Sequence, residues 1–261
     1  MTSSSALRPR SPSEIVDAAF QILRAHYAKF VMCAAIAYVP ILILKLLIIG
    51  DPRAVLASGD SVALGHVGSM YLTMMLVSTI TYSLIGAVIV TCTAQAYLGE
   101  EVDVGIAVRR VVGRLPTLLV ATLLVSSMFI VGFVLLLFPA MYVAALTFAV
   151  TPAIVLEDAG LTGAFRRSRE LSKGRKWHIL NTLGLAILIF FVIYFGVSAL
   201  TAISGGFVVQ SIVGTLVSIC VYPVVAITNV LLYYDARIQR EGLDIELMAG
   251  ALSPADLSAT S

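Results

Sequence analysis

The chain has 261 residues and a formal net charge of +2, and it is 59% apolar and 12% charged, whereas soluble domains are about 45–50% apolar and about 25% charged. This composition excludes an ordinary soluble enzyme and indicates an integral membrane protein. Asp, Glu, Lys and Arg are absent from residues 61–99, 115–156 and 177–234. Because a helix needs about 20 apolar residues to cross a bilayer, each stretch is long enough for at least one crossing.

Six transmembrane helices are predicted, which makes the fold class all-α. In chain order they cover residues 30–50, 67–98, 115–138, 140–156, 177–203 and 207–234. The stretch 115–156 is divided at Pro139, because proline is tolerated at the start of a helix. The last stretch is divided at Ser204-Gly205-Gly206, which is typical of a turn. We therefore expect three transmembrane hairpins.

Lys and Arg fall mainly on one side of this arrangement. With the N-terminus in the cytoplasm, 15 of the 17 basic residues lie in cytoplasmic segments, and the exceptions are Lys45 and Arg53. Cytoplasmic loops of membrane proteins are enriched in Lys and Arg. Both termini are therefore predicted to be cytoplasmic.

An amphipathic helix is predicted before each hairpin, near residues 12–28, 103–114 and 162–173. The first begins with Ser11-Pro12-Ser13-Glu14, a pattern typical of a capped helix start. In all three segments apolar residues recur at helical spacing opposite polar ones, many of them basic. Such helices lie in the headgroup region, with basic faces toward anionic lipids. Similar three-residue sequences occur at 19–21, 107–109 and 164–166. They point to a unit of one amphipathic helix and two membrane crossings that is repeated three times.

The three units make one membrane domain over residues 11–247. Residues 1–10 lack the apolar stretch of a cleaved signal peptide. We expect this segment and the Ala- and Ser-rich tail, residues 248–261, to be disordered.

Catalytic and cofactor motifs are not found in the sequence. The three histidines, His26, His66 and His178, are too widely spaced for the H-E-x-x-H zinc motif, and no glycine-rich nucleotide motif is present. The three cysteines lie in apolar segments, where cysteine behaves as a small hydrophobic residue. We expect no enzyme activity, no cofactor, no metal site and no nucleic-acid partner.

Charges of both signs collect on the predicted cytoplasmic side, and they allow two interpretations. Structural ion pairs could fasten the third repeat to the end of the sixth span, and the candidate residues are Glu157, Asp158, Asp235 and Arg237. Alternatively, a basic cluster binds phosphate or lipid headgroups, because a guanidinium group binds phosphate through two hydrogen bonds. The candidate residues for anionic lipid contact are Arg166, Arg167, Arg169 and Lys173.

Lys45 is a charged residue within the first predicted span. It lies five residues from the end of that span, so its ammonium group is expected to extend outward to the membrane surface. The alternative is a functional charge that faces the interior of the helix bundle. That alternative suits a small transporter or a permeation pathway for a lipid-like solute.

Five short motifs also carry a family resemblance. They are Pro152-Ala153-Ile154-Val155-Leu156-Glu157-Asp158, Ala164-Phe165-Arg166-Arg167-Ser168, Lys173-Gly174-Arg175-Lys176-Trp177, Leu232-Tyr233-Tyr234-Asp235-Ala236-Arg237 and Glu241-Gly242. With the N-terminal amphipathic helix, they resemble the bacterial membrane-domain family found fused to some glycerophosphodiester phosphodiesterases and related six-span inner-membrane proteins. For the members that are fused to a phosphodiesterase, the resemblance implies that catalysis takes place in a separate soluble barrel. That barrel carries acidic metal ligands and histidines. This chain has no room for that barrel, so no phosphodiesterase residue is carried over.

Together these features predict a non-catalytic, multi-pass protein of the bacterial inner membrane. Its expected partners are membrane lipids with anionic headgroups, and a membrane protein partner is a further possibility. The predicted function is a module that associates with lipid or organises a partner, and the alternative is the small transporter.

Overall fold

The computed structural model describes residues 10–48, 61–135, 137–204 and 206–241. Apart from short turns and connections these residues are helical, and no strand occurs among them. Except for Arg10, the two segments predicted to be disordered, 1–10 and 248–261, lie outside the described residues.

Within the described ranges the chain forms ten helices. They are α1 (Pro12–Ala25), α2 (Tyr27–Ile48), α3 (Ser61–Tyr97), α4 (Val104–Gly113), α5 (Leu115–Val134), α6 (Leu137–Thr147), α7 (Val150–Leu156), α8 (Leu161–Ser172), α9 (Lys176–Ser204) and α10 (Phe207–Glu241). The stretches long and apolar enough to cross a membrane are Tyr27–Leu47, Ser61–Tyr97, Leu115–Val134, Phe138–Leu156, Lys176–Ala202 and Phe207–Glu241. The all-α class and the six apolar helices are thus confirmed.

Several helix ends differ from the predicted ones. α10 continues to Glu241, beyond the predicted end at residue 234, and α3 begins at Ser61 instead of residue 67. Polar residues can extend a helix past its apolar part, so the apolar stretch alone underestimates the length. α5 ends at Val134, and α6 begins at Leu137, which makes Pro139 the third residue of α6 instead of the residue before the fourth span.

Side-chain caps fix the starts of α1 and α4. Ser11 Oγ accepts a hydrogen bond from the Glu14 amide at 3.3 Å, and the Glu14 carboxylate accepts one from the Ser11 amide at 2.8 Å. This reciprocal pair is the capping box that the sequence pattern predicts. At α4, Asp103 Oδ1 accepts from the Ile106 amide at 3.0 Å. Both caps satisfy amide groups that have no partner within the helix.

The buried core lies at the end of the bundle that contains α1, α4 and α8. α1 packs on α9 and α10, α4 packs on α3, and α8 packs on α6 and α7. Ala19 of α1, Ala107 of α4 and Ala164 of α8 are each fully buried, and their small side chains let these short helices approach their neighbours closely. The largest fully buried side chains include Ile15, Phe30, Ile89, Leu118, Ile154, Leu171, Ile179, Ile227, Leu232 and Tyr233.

Candidate functional site

Hydrogen bonds connect α8 to the break between α6 and α7. Because α6 ends at Thr147 and α7 begins at Val150, backbone groups near the break lose helical partners. The Ser168 hydroxyl donates a hydrogen bond to the Leu146 carbonyl at 2.7 Å and accepts one from the Ala149 amide at 3.0 Å. Ser168 is fully buried. One side chain of α8 therefore satisfies both sides of the break and fixes the position of the helix.

The basic side chains in and just after α8 point in two directions. Arg166 and Arg169 are exposed, and their spacing of three residues places them on one helical face. Lys173, the residue after the end of α8, is also exposed. Arg167 lies about 100° further around the helix than Arg166, and its side chain is 22% exposed. The sequence grouped all four cations as lipid contacts, whereas the structure leaves only three of them exposed.

The exposed face of α8 forms one wall of a groove with a volume of about 990 Å³. Its apolar lining comes from three helices and consists of Leu124, Leu146, Leu161 and Phe165. Its cations are Arg166, Arg169, Lys173 and Lys176, and Glu170 is the acidic residue in the lining. The groove therefore combines an apolar lining with an excess of positive charge.

Two of the groove cations have polar neighbours within the groove. Lys176 Nζ donates a hydrogen bond to the Tyr142 hydroxyl at 2.8 Å and lies 4.1 Å from the centre of the Tyr142 ring. Arg166 Nε is 3.9 Å from Glu170 Oε1, and the two side chains are 79% and 57% exposed. Such an exposed pair is weak. Among the described residues, Arg169 and Lys173 form no ion pair, and both line the groove.

Arg167 instead joins α8 to the ends of α7 and α10. Its guanidinium donates from Nε to Glu157 Oε2 at 2.8 Å and from Nη2 to Glu241 Oε2 at 2.7 Å. Hydrogen bonding to Glu241 raises the pKa of Arg167 above its ordinary value. The same bond lowers the pKa of the Glu241 carboxyl. Both groups are therefore held in their charged forms.

Two residues of α10 complete this cluster. The Tyr233 hydroxyl donates to Glu157 Oε1. Arg237 Nε donates to Glu241 Oε2 at 3.0 Å and lies 3.5 Å from Glu157 Oε1. We refer to Glu157, Arg167, Tyr233, Arg237 and Glu241 as the arginine cluster. It joins α8 and the residue after α7 to the end of α10.

The other two predicted ion-pair residues lie outside this cluster. Asp235 pairs with Arg175 at 2.7 Å, and Gln239 Nε2 donates to its carboxylate at 3.0 Å. Asp158 pairs with Arg114 at 2.6 Å. The structure thus brings Glu157 and Arg237 together but places Asp158 and Asp235 in separate contacts.

Several residues of these sites were missed in the sequence. Lys176 was counted with the cytoplasmic charges but not among the lipid contacts, and Tyr142 fell inside a predicted span, although both line the groove. Glu241 was not among the candidate ion-pair residues, although it contacts both Arg167 and Arg237. The separation of Arg167 from Arg166 and Arg169 follows from helical spacing and was detectable in the sequence.

The described part of the chain contains no group of three or more His, Cys, Asp or Glu residues placed to hold a metal ion. A scan against protein-family models, a search of curated proteins and a search of solved structures each find no match. What the protein does must therefore be inferred from its own residues.

Proposed function

We propose that the protein is a non-catalytic, multi-pass protein of the bacterial inner membrane that binds an anionic lipid through the α8 groove. The groove carries this proposal because it places Arg166, Arg169, Lys173 and Lys176 around an apolar lining. A phospholipid has the same two parts, a charged phosphate and apolar chains. The protein acts as a lipid-associated module in this account.

The proposed topology places the groove at the cytoplasmic membrane surface. Three hairpins, α2–α3, α5 to α7, and α9–α10, each follow one short helix, and the helices within each hairpin pack together. The basic residues of α4 and α8 then lie on the cytoplasmic side, as the distribution of Lys and Arg favours. Large apolar side chains are exposed along the long helices, including Leu72, Val131 and Leu188. Lipid chains would cover these side chains.

The chemistry of the groove suits a phosphate group. An arginine fork forms two parallel hydrogen bonds with phosphate, and a lysine ammonium adds a compact charge. Arg169 and Lys173 have no competing ion pair among the described residues, so they are available for this role. Leu161 and Phe165 would contact the apolar part of the lipid close to its headgroup.

The test is lipid retention by the full-length protein. The triple variant R166Q/R169Q/K173Q is compared with a control, R24Q/R109Q/R110Q, which removes three cations from α1 and α4. Both are extracted from membranes that contain phosphatidylglycerol and phosphatidylethanolamine, and the bound lipids are counted by native mass spectrometry. We expect the first variant to lose most of its bound phosphatidylglycerol and the control to retain it. Equal retention by the two variants would contradict the proposal.

A further inference from the structure

A second cavity lies at the opposite end of the bundle from the α8 groove. It has a volume of about 620 Å³ and is lined by residues of α2, α3, α9 and α10. Along α10 its lining runs from Phe207 to Ser218, a distance of about 16 Å at the helical rise. That is about half the thickness of a bilayer core. The cavity therefore reaches the middle of the bundle.

Tyrosine rings close the inner end of this cavity. The rings of Tyr38 and Tyr82 are stacked with their centres 4.6 Å apart, and Tyr222 lies 5.9 Å from Tyr38 and 6.4 Å from Tyr82. Tyr82 also lines a smaller cavity of about 320 Å³ that contains Asn229. The aromatic cluster thus separates two internal spaces.

Lys45 supplies the positive charge of the larger cavity. Its side chain lines the cavity, and Nζ lies 5.3 Å from the centre of the Phe207 ring. Within the described ranges, no carboxylate forms an ion pair with it. An ionisable side chain inside a transmembrane bundle marks a candidate functional site. The position of Lys45 matches the alternative that its charge faces the interior of the bundle.

The walls of the cavity have a polar and an apolar part. Ser198 of α9 and Ser211 of α10 contribute hydroxyl groups to the lining. An adjoining cleft of about 280 Å³ shares Lys45 with the cavity and is lined by Met74 and Met75. Methionine side chains are flexible and adapt to apolar ligands of irregular shape.

The cavity opens toward the membrane between α3 and α9. Tyr71 of α3 and Phe195 of α9 line it, yet they are 38% and 58% exposed. Side chains that are exposed and also line a cavity mark its mouth. A ligand entering here comes from the lipid phase.

We propose that this cavity binds an amphiphile with one acidic head group and one acyl chain. The head group contacts Lys45 and the serine hydroxyls, and the chain lies along Met74 and Met75. Lys45 is the one cation among the described residues that line the cavity, which suits a ligand with a single negative charge. The lateral mouth admits a molecule from the bilayer. This site is independent of the α8 groove.

The experiment measures binding of a fluorescent fatty acid to the full-length protein in a neutral detergent. The fatty alcohol of equal chain length and a single-chain phosphate ester are used as competitors. We expect K45Q to weaken binding of the fatty acid about tenfold, the factor that corresponds to loss of one charged hydrogen bond. K45R restores binding, and the alcohol binds the wild-type protein and K45Q equally weakly. If the phosphate ester displaces the fatty acid, the site also accepts a phosphate head group, which agrees with the proposal.

A second pair of variants tests the cavity without changing charge. S198F fills the cavity from α9, whereas S127F adds the same ring to an exposed position on α5. We expect S198F to abolish binding and S127F to leave it unchanged, with helicity and elution volume equal to those of the wild type. Unchanged binding in K45Q, or equal binding in S198F and S127F, would overturn the proposal.

Discussion

Two consecutive arginines of α8 have different surroundings and different roles. Arg167 is 22% exposed and contacts two carboxylates, whereas Arg166 is 79% exposed and lies 3.9 Å from its nearest carboxylate partner. Hydrogen bonds between charged groups that are shielded from water contribute more than exposed ion pairs do. Arg167 therefore links helices, whereas Arg166 stays exposed and lines the groove.

Replacing Arg167 should destabilise the protein more than replacing its neighbour. We expect R167Q to lower the free energy of unfolding by about 2 kcal/mol, because charged hydrogen bonds to Glu157 and Glu241 are lost. The matched variant R166Q should change it by less than about 0.5 kcal/mol, as for an exposed side chain. Denaturant titration in detergent micelles, followed by circular dichroism, measures both values.

The pH dependence provides the control for this comparison. The Arg167 hydrogen bond lowers the pKa of Glu241, so the unfolded chain binds a proton at Glu241 more readily than the folded chain does. The stabilisation is therefore complete above the ordinary Glu pKa of about 4.3 and is lost as pH falls through the lowered value. The difference between wild type and R167Q should persist at neutral pH and shrink only below about pH 4. A difference that disappears near neutral pH would contradict the assignment.

At the scale of helices, the break between α6 and α7 explains how α8 is positioned. Ser168 gives α8 a hydrogen-bonded contact at the break, and the arginine cluster links the same helix to α10. Both contacts lie on the side of α8 that faces away from the groove. These two contacts therefore fix the orientation of the α8 face that lines the groove.

Removal of the Ser168 hydroxyl tests this arrangement. S168A should lower the free energy of unfolding by about 1–3 kcal/mol, because a partly buried carbonyl and a buried amide both lose a partner. The control S127A removes a hydroxyl that bonds within its own exposed helix and should have little effect. The same denaturant titration compares the two, and an equal loss in both would show that the break does not depend on Ser168.

The helices differ in how far the sequence could predict them. The start of α1 was predictable because Ser11 and Glu14 form a local capping pattern. The break at Phe148 and Ala149 has a local signal in Pro152, which lacks the amide hydrogen that would bond the Phe148 carbonyl four residues earlier. The hydroxyl that stabilises the break comes from α8, and that tertiary contact leaves no local signal.

At the scale of the whole molecule, the two ends of the bundle are built differently. The end with α1, α4 and α8 holds the buried core, and the opposite end holds the cavity lined by Lys45. Composition and the spacing of charges predicted the helical class and the six apolar helices. The α8 groove and the cavity depend on packing between helices distant in sequence, so they required the structure.

Photo-crosslinking tests most directly whether the α8 groove binds an anionic lipid. A photoreactive amino acid replaces Thr162, which lines the groove, or Val112, which is exposed on α4 near Arg109 and Arg110. After irradiation in membranes of mixed composition, mass spectrometry identifies the attached lipids. We predict that anionic phospholipid is enriched at position 162 over its share of the membrane and is not enriched at position 112. Equal lipid composition at the two positions would contradict the account, because basic charge without the groove would then be enough to enrich anionic phospholipid.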